Sequence, residues 1–123
     1  MYDIVFYEDK NGVSELNNEL IDLVKKADTN KDARIQLKQI TLYIELLKKQ
    51  GTKMSPNITK HLEGEIWELR PGFNRVLYFY FANNTFVLLH MFRKKTQKTP
   101  KSEIEKALKE CNDYKKRNGG ELL

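Results

Sequence analysis

The chain has 123 residues, a length that suits one domain with one substantial core. Charged residues make up 32% and the formal net charge is +5, which favours solubility and a polyanionic partner. No apolar run approaches the ~18 residues of a membrane span, and Cys111 is the only cysteine, so no internal disulfide can form.

The first residues, MYDIVFYEDK, lack the basic start and apolar core of a signal peptide, which points to the cytoplasm. Residues 2–8 mix β-branched and aromatic positions with polar ones and predict a strand. Asn11 and Gly12 break it. Val13, Leu16, Leu20, Val24 and Ala27 then recur at spacings of three and four, so the chain predicts an amphipathic helix over 13–27, N-capped by Ser14 or Asn11. A polar link leads into a second helix from about Asp32 to Gln50. Its stripe is Leu37, Ile40, Ile44 and Leu47, and Gly51 follows as a left-handed cap. Two such helices with a short link predict an antiparallel helical hairpin. Residues 52–64 show no clear period, and Pro56 argues against a helix there. The last helix is predicted from near Thr99, with Thr99 as N-cap and Pro100 at the first helical position. Ile104, Ala107, Leu108, Cys111 and Tyr114 form its apolar face, and Asn118, Gly119 and Gly120 end it. The expected organisation is one domain over 1–117 and a flexible tail over 118–123.

Between these helices, Glu65 to Pro100 carries the only Trp and three strand-like runs. Arg70-Pro71-Gly72-Phe73 predicts a type II turn and Ala82-Asn83-Asn84-Thr85 a two-residue hairpin turn. The result is a three-stranded antiparallel meander in an α+β fold. Counting through two-residue turns sets Glu68 opposite Arg75, Arg75 opposite Phe92 and Val76 opposite Met91. Trp67, Leu69, Val76, Tyr78, Tyr80, Val87, Leu89 and Met91 then share one apolar face. The other face carries Ile66, Glu68, Arg70, Arg75, Leu77, Phe79, Phe81, Phe86, Leu88, His90, Phe92 and Lys94. A bulge at Phe73 or Asn74 would exchange half of these positions while leaving the polar groups at one end.

Glu68, Arg70, Arg75, His90, Lys94 and Lys95 converge at the Pro-Gly end. Cations gathered there can hold a phosphate and stabilise the charge of its transition state. Arg70 and Arg75 suit bidentate phosphate contacts, while Lys94, Lys95 and Lys98 add point charges. Lys60 and His61 add a cationic group just before the meander, and Arg93 extends the basic run. Phe92 or Phe73 could stack on a base. Glu68 and His90 are the candidate proton carriers. The set suffices for metal-free RNA cleavage in which the neighbouring 2′-hydroxyl is the nucleophile. Each feature also has a plainer structural reading: Glu68 with Arg75 as a cross-strand ion pair, Arg93-Lys94-Lys95 as a solvated run, His90 as a structural histidine. His61 with Glu63 and Glu65 matches metal-ligand spacing only loosely, so neither metal nor cofactor is expected.

EIWELRPGFNRVLYFYF followed by FVLLHMFRKKTQKTPKSEIEKAL resembles the HigB-type branch of the RelE toxin superfamily. HMFRKKTQKTPKSEIEKA is its most specific part, and the element order resembles the family over nearly the whole chain. The resemblance implies a type II toxin: an endoribonuclease that cuts mRNA on the ribosome. Its partner would be a HigA-type helix-turn-helix antitoxin, through which alone the complex would reach operator DNA. It further implies Arg70 and Arg75 as the arginines of the central strands, and Lys94 and Lys95 as the basic pair after the last strand. Relatives nearer RelE place lysines where this chain has Ile66 and Glu68, so the basic partner could instead be Lys60 or His61. The tyrosine that some relatives carry in the final helix has no clear counterpart; Glu105 lies near that place. A non-catalytic basic RNA-binding or regulatory module is the alternative reading.

Overall fold

The computed structural model describes residues 1–119. The elements are β1 (Asp3–Phe6), α1 (Glu15–Ala27), α2 (Lys31–Gln50), β2 (Thr59–Glu63), β3 (Ile66–Leu69), β4 (Asn74–Tyr80), β5 (Thr85–Arg93) and α3 (Lys101–Asn118). One five-stranded sheet runs in the order β1-β5-β4-β3-β2. β1 pairs with β5 in parallel and the remaining neighbours are antiparallel. The α+β class and element order therefore follow the sequence reading, with one strand more.

That strand is β2. It lies at the sheet edge, and in TKHLE only Thr59 is buried. Charged, exposed edge strands carry little apolar alternation, which is why the sequence shows no period there. Thr59 ties β2 down: its hydroxyl donates to the Glu68 carbonyl at 2.9 Å and shares a 2.6 Å hydrogen bond with the Tyr78 hydroxyl.

The helical hairpin forms from local signals. Ser14 caps α1 by accepting from Asn17 N at 3.1 Å, and Asn30 caps α2 by accepting from Ala33 N at 2.9 Å. Gly51 takes the expected positive φ of 63°, although its ψ of −143° lies outside the left-handed helical region. Leu16, Ile40 and Leu47 are buried, whereas Val24 is 54% exposed and leaves the predicted stripe. At α3 the predicted cap is displaced. Pro100 is the N-cap, with no side-chain cap bond, and the Thr99 hydroxyl donates to Glu68. α3 reaches Asn118, one residue into the expected tail, and 120–123 lie outside the described residues.

Both turns shift the register. The Pro-Gly turn closes one residue later than predicted, with Asn74 N–H on the Pro71 carbonyl at 3.1 Å. Glu68 therefore faces Leu77 rather than Arg75, and Leu69 faces Val76. The slip is two residues, so side chains keep their faces. The second turn has positive φ at both Asn83 (50°) and Asn84 (65°), as predicted. Here, however, Phe81 N–H pairs with Thr85 O and Tyr80 faces Phe86, an offset of one from the simple count. A bulge restores the count: Tyr78 faces Leu88 and Leu77 faces His90, leaving Leu89 between them. The bulge thus lies at Leu89, not at Phe73 or Asn74. Arg75 still faces Phe92 and Val76 still faces Met91.

Between the two irregularities β5 is turned over. Phe86 and Leu88 join the core under α1 and α2 with Leu16, Ile40, Leu47, Leu69, Val76, Tyr78 and Met91. Val87 and Leu89 join the core under α3 with Tyr7, Ile66, Leu77, Phe79, Ala107 and Cys111. These four positions exchange faces relative to the sequence count.

Two stability predictions follow from this packing. Gly51 combines its positive φ with a backbone so close to Tyr2 that an added Cβ would sit 2.8 Å from the ring. Gly51→Ala should destabilise the fold by about 1–3 kcal/mol in urea denaturation. Burial pushes the Tyr78 phenol up to about 12, against the pull of its bond with Thr59. Tyr7 is likewise raised to about 12, by burial and then by its bond to Asp113. The folded state therefore holds these protons at a pH where the unfolded chain has released them. The stability they contribute is full below the ordinary value of 10.0 and lost as pH rises toward 12. Urea titrations across that window should show a loss of roughly 2–3 kcal/mol per buried phenol, with a shallower fall in Tyr78→Phe.

Candidate functional site: a cationic cleft between β2, β3 and α3

A cleft of about 220 Å³ opens on the α3 side of the sheet, lined by Lys60, His61, Leu62, Glu68, Arg70, Gln97, Lys98, Thr99 and Ile104. Three segments of the chain meet here, two of them the consecutive strands β2 and β3. The edge strand supplies Lys60, directly opposite Glu68 on β3. The end of β3 supplies Arg70, and the segment leading into α3 supplies Lys98 and Thr99.

Glu68 is the anchor. It is 3% exposed, and its Oε2 lies 3.5 Å from Arg70 Nε and 4.0 Å from Arg75 Nε. Its Oε1 accepts from the Thr99 hydroxyl. The shifted register explains this grouping. Leu69 faces Val76, and one step further sets Arg70 beside Arg75. Two guanidiniums at that distance repel, and the carboxylate between them offsets the repulsion. Arg75 is 6% exposed. Burial lowers its pKa, and the neighbouring Glu68 draws it back up. Its Nη1 donates to the carbonyls of Gly72 at 2.8 Å and Asn74 at 2.9 Å, so it braces the turn.

Arg70 is held differently. Its Nη1 donates to the Pro56 carbonyl at 2.9 Å. Its Nε, close to Glu68 but not aligned with it, is the one buried side-chain polar atom among the described residues without a hydrogen-bond partner. A buried unpaired donor is costly, and Arg70, with 23% of its side chain exposed, still presents part of its guanidinium to the cleft. His61 contributes a defined tautomer. Its Nε2 lies 2.7 Å from the Gly64 carbonyl, which can only accept. Nε2 therefore carries the proton, and in the neutral ring Nδ1 is left as an acceptor. The ring also packs edge-on to Trp67 at 5.3 Å.

The structure brings together Glu68, Arg70, Lys60 and Lys98, with Arg75 directly behind, whereas His61 borders the cleft with its ring on the opposite face of β2, against Trp67. It separates the others. His90 is 2% exposed under α3, its Nδ1 2.5 Å from Glu110 and its Nε2 3.0 Å from Glu103. Phe92 is half-buried in the α3-side core. Arg93 lines a different groove, on the α1–α2 side, with Asn18, Glu19 and Asp22. Lys94 and Lys95 follow β5 at the same end of the sheet without lining the cleft. Thr99 was legible only as a helix cap, because its partner Glu68 lies 31 residues away in sequence. Glu103 and Glu110 carried the i, i+7 spacing of one helix face but no sequence signal that the face meets a histidine.

A family model described as Phage derived protein Gp49-like (DUF891) matches residues 23–112. The chain belongs to that family. No curated protein sequence matches the chain. Among solved structures, the YoeB-YefM complex from Staphylococcus aureus is similar at 14% identity and a TM-score of 0.47. The alignment covers 78% of this chain and 99% of that one. A heterotetrameric YoeB-YefM toxin-antitoxin complex from the same organism is similar at 13% identity and a TM-score of 0.49, with the same coverage. A likeness of that degree carries no argument about site or activity.

Removing the anchor tests the cleft's construction. Glu68→Ala leaves Arg70 and Arg75 facing each other without a counter-charge. Denaturation should show a loss of about 3–5 kcal/mol, and Glu68→Ala with Arg75→Met should recover part of it.

Proposed function

We propose that this chain is the toxin of a type II toxin–antitoxin pair and acts as a metal-independent endoribonuclease on mRNA. The observation that carries the reading is the gathering of Arg70, Lys60 and Lys98 around one cleft. Membership in the Gp49-like family supports the toxin class. The sequence resemblance to HigB-type toxins supports the ribosome as the place of cleavage and a HigA-type antitoxin as the partner that restrains it in a hetero-oligomer. It also supports a cytoplasmic site of action for a single toxin domain. Among the described residues, no helix is long and apolar enough to cross a membrane.

The chemistry follows from the groups at hand. Arg70, Lys60 and Lys98 hold the scissile phosphate and stabilise the negative charge that builds on its oxygens. The 2′-hydroxyl attacks phosphorus and its proton passes to solvent water. The bond to the 5′-oxygen breaks, and an ammonium of Lys60 or Lys98 protonates the leaving oxygen. The products are a 2′,3′-cyclic phosphate and a 5′-hydroxyl, with charge and protons balanced. Glu68 and Arg75 position Arg70 rather than touch the reacting atoms. DNA, without the 2′-hydroxyl, is not a substrate.

Expression of the chain alone should arrest growth, and primer extension on a translated message should show discrete new 5′ ends. Arg70→Ala should reduce cleavage by about 10²-fold or more while the protein stays folded by circular dichroism. Salt-sensitive RNA binding with no new ends would instead indicate a non-catalytic binding module. Undiminished cleavage by a combined Lys60/Arg70/Lys98 alanine variant would overturn the assigned cleft.

A further inference from the structure

We infer that Phe73 and Arg93 form a stacking platform for an unpaired RNA base at the tip of the β3–β4 turn. This rests on the RNA reading above and adds a base subsite to its phosphate site. Phe73 is 65% exposed, an unusual position for a large apolar ring. The backbone beneath it is firmly held. Its carbonyl accepts from Lys94 N–H at 2.8 Å, and the turn is closed by Asn74 N–H on Pro71 O at 3.1 Å. Arg75 braces the Gly72 carbonyl at 2.8 Å, and the Asn74 side chain donates to Gln36 at 3.1 Å. A ring mounted on so fixed a turn loses little conformational freedom when it binds.

The ring has a cationic neighbour. The Arg93 guanidinium carbon lies 5.8 Å from the Phe73 centroid. Aromatic rings and guanidinium planes are the surfaces on which splayed single-strand bases stack. An exposed ring alone would suit a protein contact equally well. Here the ring stands against the Arg93 guanidinium, a cation that favours a polyanion whose bases offer π-faces. The direction of the strand also follows. On its other flank Arg93 borders a groove lined by Glu19 and Asp22, carboxylates that repel phosphate. The sugar-phosphate backbone therefore leaves the platform toward Arg75 and Arg70, which are joined to Phe73 through the same turn. Phe92, the other aromatic candidate, is packed in the α3-side core and offers no free face of this kind.

The test is fluorescence anisotropy of the full chain with a short labelled 2′-O-methyl RNA, which binds as RNA but cannot be cleaved. Phe73→Ala should raise Kd by about 5- to 100-fold, the range for one base stack. Phe73→Leu should behave like Phe73→Ala, because a branched aliphatic chain has no π-face, and Phe73→Trp should restore wild-type affinity. Wild-type affinity in Phe73→Leu overturns the platform. If the wild-type chain binds, Arg70→Ala weakens binding and Phe73→Ala does not, the platform alone fails and the exposed ring is left as a protein contact. If the wild-type chain does not bind this RNA, the RNA reading fails with it.

Discussion

The carboxylate of Glu68 is the interaction on which this architecture depends. It is buried beside two guanidiniums and beneath a threonine hydroxyl that belongs to the segment entering α3. Without it, the register of β3 on β4 would bring Arg70 and Arg75 together uncompensated. With it, three chain segments are joined at one point: the end of β3, the start of β4 and the approach to α3. The arrangement leaves part of the Arg70 guanidinium exposed at the cleft, where an anion can meet it. Breaking such a pair is costly because the remaining charge cannot return to water, whereas the intact pair contributes little net stability. Its consequence is therefore geometric: it fixes where the cations stand.

The sheet serves two cores at once, which explains the irregular course of β5. The hairpin of α1 and α2 needs large apolar groups from one face, and α3 needs them from the other. A strand that alternates strictly would present Val87 and Leu89 to the hairpin and Phe86 and Leu88 to α3. The offset at the Asn-Asn turn reverses this, placing Phe86 against Tyr2 and Tyr78 with centroids 4.9 and 5.5 Å apart. The bulge at Leu89 then restores the alternation before β5 reaches the basic end. His90 follows the bulge and points into α3, where two glutamates one helical face apart hold both ring nitrogens. It fastens α3 to the sheet, and α3 in turn forms one wall of the cleft.

Chemistry at the basic end is divided between the two sides of the sheet. Glu68, Arg70, Lys60 and Lys98 belong to the α3 side, while Arg93 belongs to the hairpin side. Of the run Arg93-Lys94-Lys95 only Arg93 belongs to β5 and lines the hairpin-side groove, while Lys94 and Lys95 follow the end of the strand. The turn between β3 and β4 bridges the two sides, and its exposed ring stands between them.

Sequence by itself determined the elements and their order. Helix periodicity, the cap Ser14 and the turn residues Asn83 and Asn84 are local signals, and local interactions settle them. It also gathered the cations at one end of the sheet, since that grouping survives a register error. The tertiary structure alone decided the rest. The β2 strand carries no apolar period, so only its pairing with β3 defines it. A bulge depends on which core each side chain must fill, and no single strand contains that information. Thr99 left its expected cap role for Glu68, and His90 left the site for Glu103 and Glu110, because a long-range polar partner in a buried place outweighs a local one near water. Those exchanges decide which groups face the cleft, and they are invisible until the strands and α3 have packed.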